Sequence, residues 1–600
     1  MNNHLIEGPD ALRAFRKWWD GVRTLNLVLD YKAPVLINWA VGVGKSCNLD
    51  NAIEAAVQSG RFDLVVVLLP QREVQRERRW VRHPPPDITV VDLKPRPSEL
   101  CGPQLNKQWA VLEVRGLGAL ARRDLCTQCK NKRTCFWLRQ YGKALQGAKV
   151  IFANQKHLEL DARFIARLKG WAGAQNVLVL MDEASFVTKN RKIIIEHEEL
   201  ERYRQVLDFL RPQNPALGGN VHNLKLLMLA NTSDLRRPTW SFRKLSLKQS
   251  FKLQELGYKQ FGRKFSNIES ELDLFCHSDF KRREKTGSGA VIFPISPDLG
   301  VDMMIYSGTI VPEFLAYRLG MEVANPFEGY AFTHPDTSWY NINSYIGTRR
   351  HFWKHAPQIL DFFAALTARR LAEGKRVLLI CKKVFVNRCA EGMEQALARL
   401  GLPGVKVVAE DWREVDLDDP KVIPLLNYGI IGINLFQEFH CAYCLTGYYV
   451  DQDAVNNILQ DCLASDQEIP IEIGFEGNPK RRVARAANYK DRYTNVNELA
   501  PMALREQELN VVMQAVGRVR PYTKPREVIT FQCDVIPEVP EEHVFLSLGE
   551  ARAHFEVKTR KEAQRLKTQE LVQKAKRMGL TQRQAAEKIG RGLRTVQRYW

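Results

Sequence analysis

Residues 34–37 (PVLI) run directly into Trp39-Ala-Val-Gly42-Val43-Gly44-Lys45-Ser46-Cys47 and then into the helix-forming stretch NLDNAIEAAVQ. An apolar strand, a glycine turn and a helix start constrain a chain more than its composition does. A strand that feeds a helix of this kind returns to a parallel sheet, buried on both faces. The turn also aims backbone N–H groups and the positive end of the helix dipole at one point, which suits a phosphate. Gly42, Val43, Gly44, Lys45, Ser46 and Cys47 are therefore the candidate cofactor-binding residues, with ATP and Mg²⁺ as the ligands such a loop takes. Lys45 would reach the β- and γ-phosphates and Ser46 the Mg²⁺. Trp39 stands where loops of this type usually begin with glycine.

Further short apolar runs follow at 64–69, 148–152, 177–181, 376–380 and 428–433, separated by helical-looking sequence. That pattern predicts α/β architecture with buried parallel strands. Between 190 and 285 the sequence turns polar and leucine-spaced, which reads as a mainly helical insertion, and a second α/β block runs from about 300 to 545.

A nucleotide site needs a carboxylate for the metal and a group to orient the attacking water. Asp182 and Glu183 close the apolar run VLVLM, at the strand end where ligands bind in open α/β sheets. Asp182 would hold the metal and Glu183 the water. Phosphoryl transfer also draws on an arginine that stabilises developing charge. Gln514-Ala-Val-Gly517-Arg518-Val-Arg520 offers two, Arg518 and Arg520, with Gln514 beside them as a further catalytic candidate.

The 88 Lys and Arg residues against 68 Asp and Glu give a net charge of +20, a field that favours a polyanionic partner. No run is long and apolar enough to span a membrane, and the first ten residues, MNNHLIEGPD, lack the basic and apolar regions of a signal peptide. The expectation is a cytoplasmic, nucleoid-associated protein with no membrane partner. Of the 12 cysteines, Cys101, Cys126, Cys129 and Cys135 are spaced C-x24-C-x2-C-x5-C, a clustering that reads as metal binding in a reducing compartment. Four thiolates suit a [4Fe–4S] cluster and a tetrahedral zinc equally on ligand type. Cys441 and Cys444 (CAYC) read instead as small residues of a buried strand.

The order AVGVGKS, DEAS and QAVGRVR resembles motifs I, II and VI of superfamily 2 helicases. Pro70-Gln71-Arg72-Glu73-Val74-Gln75 is similar to their motif Ia, and Gly432-Ile-Asn434-Leu-Phe436 to motif V. Tyr306-Ser307-Gly308-Thr309-Ile310, with Asn325-Pro326-Phe327 downstream, looks like the SGT segment of the DinG/XPD iron–sulfur helicases. The likeness covers roughly residues 35–540 and departs from the family at Asn154-Gln155, where Asn-His is usual.

The resemblance implies two RecA-like P-loop domains, a four-cysteine module holding [4Fe–4S], a helical Arch-like insertion and 5′→3′ unwinding of single-stranded and forked DNA. It places RecA-like domain 1 at 1–100 and 146–188, the cysteine module at 101–145, the insertion at 189–298 and RecA-like domain 2 at 299–545. It also implies nucleic-acid contacts from Gln71, Arg72, Ser307 and Thr309.

Residues 557–600 hold 13 Lys and Arg against 3 Asp and Glu. Thr581 with Gln584 makes a capping box, Ala585 lets two helices approach, and Gly590 permits a turn. The segment 556–600 resembles a helix-turn-helix, with Arg594, Thr595, Gln597 and Arg598 on the helix that would read duplex DNA. A fused sequence reader fits a phage, plasmid or other mobile-element helicase. The sequence leaves two other readings open: a DNA-binding replication or regulatory ATPase switch, and a helicase subunit of a nucleoprotein assembly such as a CRISPR-type effector.

Overall fold

The computed structural model describes residues 4–114, 125–126, 129–160, 163–183, 192–278, 280–294, 299–300, 302–319, 321–409, 414–429, 435–463, 471–476, 481–486, 499–534 and 536–600. The chain forms two compact units, Met1–Phe332 with Asn457–Glu468, and Thr333–Asn456 with Ile469–Trp600.

The first unit is built on a six-stranded sheet. Its strands are β1 (Val35–Ile37), β2 (Leu64–Leu69), β3 (Val90–Asp92), β4 (Val150–Asn154), β5 (Val177–Asp182) and β6 (Met303–Tyr306). They lie in the order β1-β6-β5-β2-β4-β3 and every pairing is parallel. The apolar runs bury on both faces, as such a sheet requires.

Strand β6 corrects the expected boundary at 299. Met303–Tyr306 was read with the second block, but it pairs with β1 on one side and β5 on the other. After the insertion the chain returns to fill the gap between two first-unit strands. The run MMIY is too short for its sequence to say which sheet it joins.

Helices α1 (Gly8–Trp18), α2 (Gly21–Tyr31) and α3 (Lys45–Ser59) pack around the start of this sheet. Asp20 caps α2 through the Arg23 N–H, and Gly60 ends α3 in the left-handed conformation. Helices α2 and α3 approach so closely that a Cβ on Gly21 would lie 2.2 Å from the Asn51 carbonyl oxygen.

The insertion is helical over His197–Leu210, Gly218–Leu229, Leu247–Phe261 and Glu269–His277, around a core that includes Leu200, Val206, Leu224, Leu253 and Phe275. It also contains an antiparallel sheet of Lys192–Ile195, Glu284–Lys285 and Val291–Pro294, which the sequence reading did not include. The β-branched runs KIII and VIFP pair across the ends of the insertion and account for it.

The second unit holds a seven-stranded parallel sheet: β7 (Ser338–Ile342), β8 (Val377–Cys381), β9 (Lys406–Val408), β10 (Val422–Asn427), β11 (Cys441–Cys444), β12 (Glu527–Thr530) and β13 (Val544–Phe545). Their order is β9-β10-β8-β11-β12-β7-β13. Of the strand expected at 428–433, residues 430–433 lie outside the described residues, and the described strand β10 ends just before it at Asn427. Pro424 lies inside β10, and a proline argues against a central strand when only sequence is read. CAYC is the fully buried β11, and burial pushes the Cys441 and Cys444 thiols up to about 12.

The last three helices, Arg560–Arg577, Gln582–Ile589 and Leu593–Tyr599, close on a small core of Val572, Ala575, Ala585 and Val596. Thr581 and Gln584 form a reciprocal cap, and Gly590 takes φ 66°. Among the described residues no helix is long and apolar enough to cross a membrane.

Gly21→Ala drives a methyl group into the backbone of α3, with no side chain that could yield. Overpacking of this kind costs about 1–3 kcal/mol. The expected result is a clearly lower melting temperature for the first unit in a thermal unfolding scan.

Candidate functional site

The loop between β1 and α3 depends on two glycines with positive φ, Gly42 at 91° and Gly44 at 117°. Gly44 is the N-cap of α3, so Lys45, Ser46 and Cys47 form the first turn and their N–H groups point outward from the helix start. Lys45 is 7% exposed, and its Nζ donates to the carbonyls of Trp39 at 2.7 Å and Ala40 at 3.3 Å. Arg16 reaches from α1 and donates to the carbonyls of Val43 and, at 3.2 Å, Gly42.

The departure at Trp39 is explained locally. Among the described residues positive φ outside glycine occurs at Lys32, Glu183, Arg520 and Glu556, so Trp39 has ordinary backbone geometry. Its ring is buried against Phe15 (5.0 Å between centroids) and Phe327 (5.5 Å, edge-on), which anchors the entry to the loop.

Asp182 is the last residue of β5 and 6% exposed. Arg78, 4% exposed, donates to its Oδ2 at 2.6 Å and to the Ser46 carbonyl at 2.9 Å. One guanidinium thus spans the first turn of α3 and the strand-end carboxylate, which makes Ser46 and Asp182 neighbours. A hydroxyl and a carboxylate are the hard oxygen donors that Mg²⁺ takes, so the donor set fits that ion. Gln155 was noticed in sequence only as a departure from the family pattern. It is buried and donates from Nε2 to the Asp182 carbonyl, while its own N–H bonds the Leu69 carbonyl at 2.9 Å. It thereby ties the ends of β2, β4 and β5 together.

Glu183 sits at φ 58°, a left-handed conformation that costs a side chain of this size about 1–2 kcal/mol and that concentrates at functional sites. Its N–H bonds the Tyr306 carbonyl at 2.8 Å, and the Ser307 hydroxyl donates to its Oε2 at 3.5 Å. A Cβ on Gly308 would lie 2.3 Å from the Trp39 carbonyl oxygen and 2.9 Å from Lys45 Nζ. The SGT segment is therefore pressed against the glycine loop. Behind it, burial raises the Asp50 carboxyl above its ordinary range, opposed by the nearby Arg78, and raises the Tyr306 phenol, whose hydroxyl donates to Asn48 Oδ1 at 3.0 Å.

Other expected site residues are placed differently from the sequence reading. Ser307 and Thr309, read as nucleic-acid contacts, are both buried beside the glycine loop. Arg72 is paired through both terminal nitrogens with Asp92, leaving it 17% exposed, while Gln71 is half-buried at the start of its short helix. Gln514, Arg518 and Arg520 lie in the second unit. Gln514 is buried, and Arg520 takes φ 64° after the short turn Gly517–Val519, which Arg526 braces by donating to the Val519 carbonyl at 2.7 Å. Residues 432–434 of the motif V-like segment and Ala184 and Ser185 of the DEAS box lie outside the described residues.

Cys126 and Cys135 pack with Trp109 and Trp137. The Cys129 N–H bonds the Cys126 carbonyl at 3.3 Å, and Asn131 donates to the Leu100 carbonyl at 3.0 Å, tethering the Cys101 segment to the same module. Among the described residues no three cysteines, histidines or carboxylates are arranged as a metal-binding group, and residues 115–124 and 127–128 of this module lie outside the described ones. In the C-terminal helices Arg594, Thr595, Gln597 and Arg598 are all exposed, while Val596 between them is buried.

No protein-family model matches the chain, and no curated protein matches it. Solved structures do. A structure described as an XPD helicase is 14% identical, with a TM-score of 0.42 over 86% of this chain and 96% of its own. Xpd4 of S. tokodaii is 13% identical, with a TM-score of 0.39 over 88% of this chain and 100% of its own. The DUF1998 helicase MrfA bound to DNA is 8% identical at a TM-score of 0.32, over 86% of this chain and 46% of its own. At such identities and TM-scores the functional argument has to come from the site's own geometry.

Gly308→Ala places a methyl group against the Trp39 carbonyl and Lys45 Nζ, so the loop must shift. A fluorescent ATP analogue is expected to bind of order tenfold more weakly, equivalent to about 1.4 kcal/mol, in a titration against the wild-type chain.

Proposed function

We propose that the chain is an ATP-dependent DNA helicase, translocating on single-stranded DNA with the 5′→3′ direction that its resemblance implies. The observation that carries this reading is the gathering of Lys45, Ser46, Asp182 and Glu183 at the C-terminal ends of β1 and β5, which only one strand, β6, separates. Ligands of open parallel sheets bind at such strand ends, and this one offers a glycine loop, a helix start and two carboxylates.

In the proposed reaction the α3 N-terminus and Lys45 hold the phosphates, and Ser46 with Asp182 holds Mg²⁺, which neutralises the charge of the transferring group. Glu183 orients the attacking water, and its left-handed backbone directs the side chain away from the course of β5. Ser307 on Glu183 and Gly308 against the loop assign the SGT segment to the nucleotide side, where it senses the state of both. Gln514, Arg518 and Arg520 are kept as the charge-stabilising candidates that the resemblance of QAVGRVR implies. The strained backbone at Arg520 supports it over Arg518 as the arginine that acts.

Nucleic-acid contact from the first unit is assigned to Gln71, with Arg72 holding the segment through Asp92. The C-terminal helices are assigned as a helix-turn-helix that recruits the motor to duplex DNA, as a phage, plasmid or other mobile-element protein would need. Exposure of Arg594, Thr595, Gln597 and Arg598 on one short helix supports this. No step is assigned to a metal at the four cysteines.

Lys45→Ala and Glu183→Gln are each expected to reduce single-strand-stimulated ATP hydrolysis by about 10²-fold or more, with Glu183→Gln still binding nucleotide. Hydrolysis near the wild-type rate in either variant refutes the site, and wild-type hydrolysis indifferent to single-stranded DNA refutes the motor. For the tail, the double substitution Arg594→Ala/Arg598→Ala touches no core residue. It is expected to weaken duplex binding and to lower the slope of log affinity against log salt by about 2, leaving single-strand-stimulated hydrolysis in place.

A further inference from the structure

Arg78 is a buried cation of the first unit that the nucleotide chemistry above does not use. It lies between two short helices, Arg72–Glu77 and Arg79–Arg82, and points into the first unit rather than to solvent. Both of its terminal nitrogens are engaged. One donates to the Ser46 carbonyl at 2.9 Å and lies 3.9 Å from Asp50 Oδ1, and the other donates to Asp182 Oδ2 at 2.6 Å. Two carboxylates and a helix-turn carbonyl therefore converge on one guanidinium.

Such a group cannot be a bystander to a metal. A buried carboxylate is costly without a counter-charge, and Arg78 supplies one to Asp182 in the interior. A divalent cation bound at Ser46 and Asp182 needs the same carboxylate, and a second full positive charge within hydrogen-bond distance of it would repel the ion. We propose that Arg78 is a resident counter-cation of the nucleotide site, which holds the Asp182 carboxylate and has to release it for Mg²⁺–ATP to bind. This rests on the nucleotide reading above. Arg78 then sets the Mg²⁺ concentration at which the site fills, because every binding event includes the separation of this ion pair.

The test is binding of a fluorescent ATP analogue to the full chain, titrated with MgCl₂. Arg78→Gln is expected to lower the half-saturating Mg²⁺ concentration at least fivefold, and Arg78→Lys, which keeps the charge but cannot bridge both partners, to lower it by a smaller factor. In an Asp182→Asn background the Gln substitution is expected to produce no shift. An unchanged or raised Mg²⁺ midpoint in Arg78→Gln, in protein that still unfolds cooperatively, overturns the proposal, as does a shift that persists without the Asp182 carboxylate. If Arg78→Gln fails to fold, Arg78→Lys decides alone, and an unshifted midpoint there overturns the proposal. A wild-type chain that binds no ATP analogue at any Mg²⁺ concentration overturns the nucleotide reading itself, a failure visible before any variant is made.

Discussion

The in-register parallel pairing of β1, β6 and β5 is the constraint from which the rest of the first unit follows. Tyr306 of β6 lies opposite Ile37 of β1 and Asp182 of β5, so three strands end at the same level. The chain leaves each strand into a segment that carries candidate site residues: the glycine loop, Glu183, and Ser307-Gly308-Thr309. Parallel strands cannot be joined by tight turns, and these three come from parts of the sequence more than a hundred residues apart. A slip of one residue in β6 would turn its side chains to the opposite face of the sheet and take Gly308 away from the Trp39 carbonyl.

Close packing at that level dictates the remaining residue types. Gly308 has no Cβ because the Trp39 carbonyl and Lys45 Nζ occupy its space. Trp39 can replace a loop glycine because its φ is ordinary and Phe15 and Phe327 give its ring a buried seat. Glu183 accepts a left-handed backbone because the Tyr306 carbonyl holds its N–H. Each exception to local preference is thus enforced by a neighbour from a distant segment. Two of the four such non-glycine residues among those described, Glu183 and Arg520, coincide with residues chosen from sequence as catalytic candidates.

Much of this was legible because the signals are local. The glycine loop, the acidic pair at the end of VLVLM, the burial of CAYC and the cap Thr581–Gln584 each lie within a few residues, and the structure forms them as read. What escaped was long-range. Nothing in MMIY says that it joins β1 and β5 rather than a following sheet. Pro424 masks a central strand. Nothing near Arg72 announces Asp92, twenty residues on, as its partner, so a cation that looked available for a phosphate backbone is committed inside the protein. Arg78 is the sharpest case, because Asp182 lies more than a hundred residues away and only the folded sheet brings the two together.

Charge is distributed as unevenly as function. The segment 557–600 holds 13 Lys and Arg against 3 Asp and Glu, while the chain as a whole carries +20. At physiological ionic strength exposed charges act over a Debye length of about 8 Å, so a field concentrated in three short helices acts on what those helices touch. The helices have their own core of Val572, Ala575, Ala585 and Val596, and Arg560 is tied to Asp361 of the second unit at the base of the first of them. A basic module with its own core suits the proposed role of holding a polyanion. In the first unit the cations near the site are instead neutralised one by one, Arg72 by Asp92 and Arg78 by Asp182. In the proposed function attraction to nucleic acid falls to the terminal helices, while these arginines of the first unit are committed to its own carboxylates.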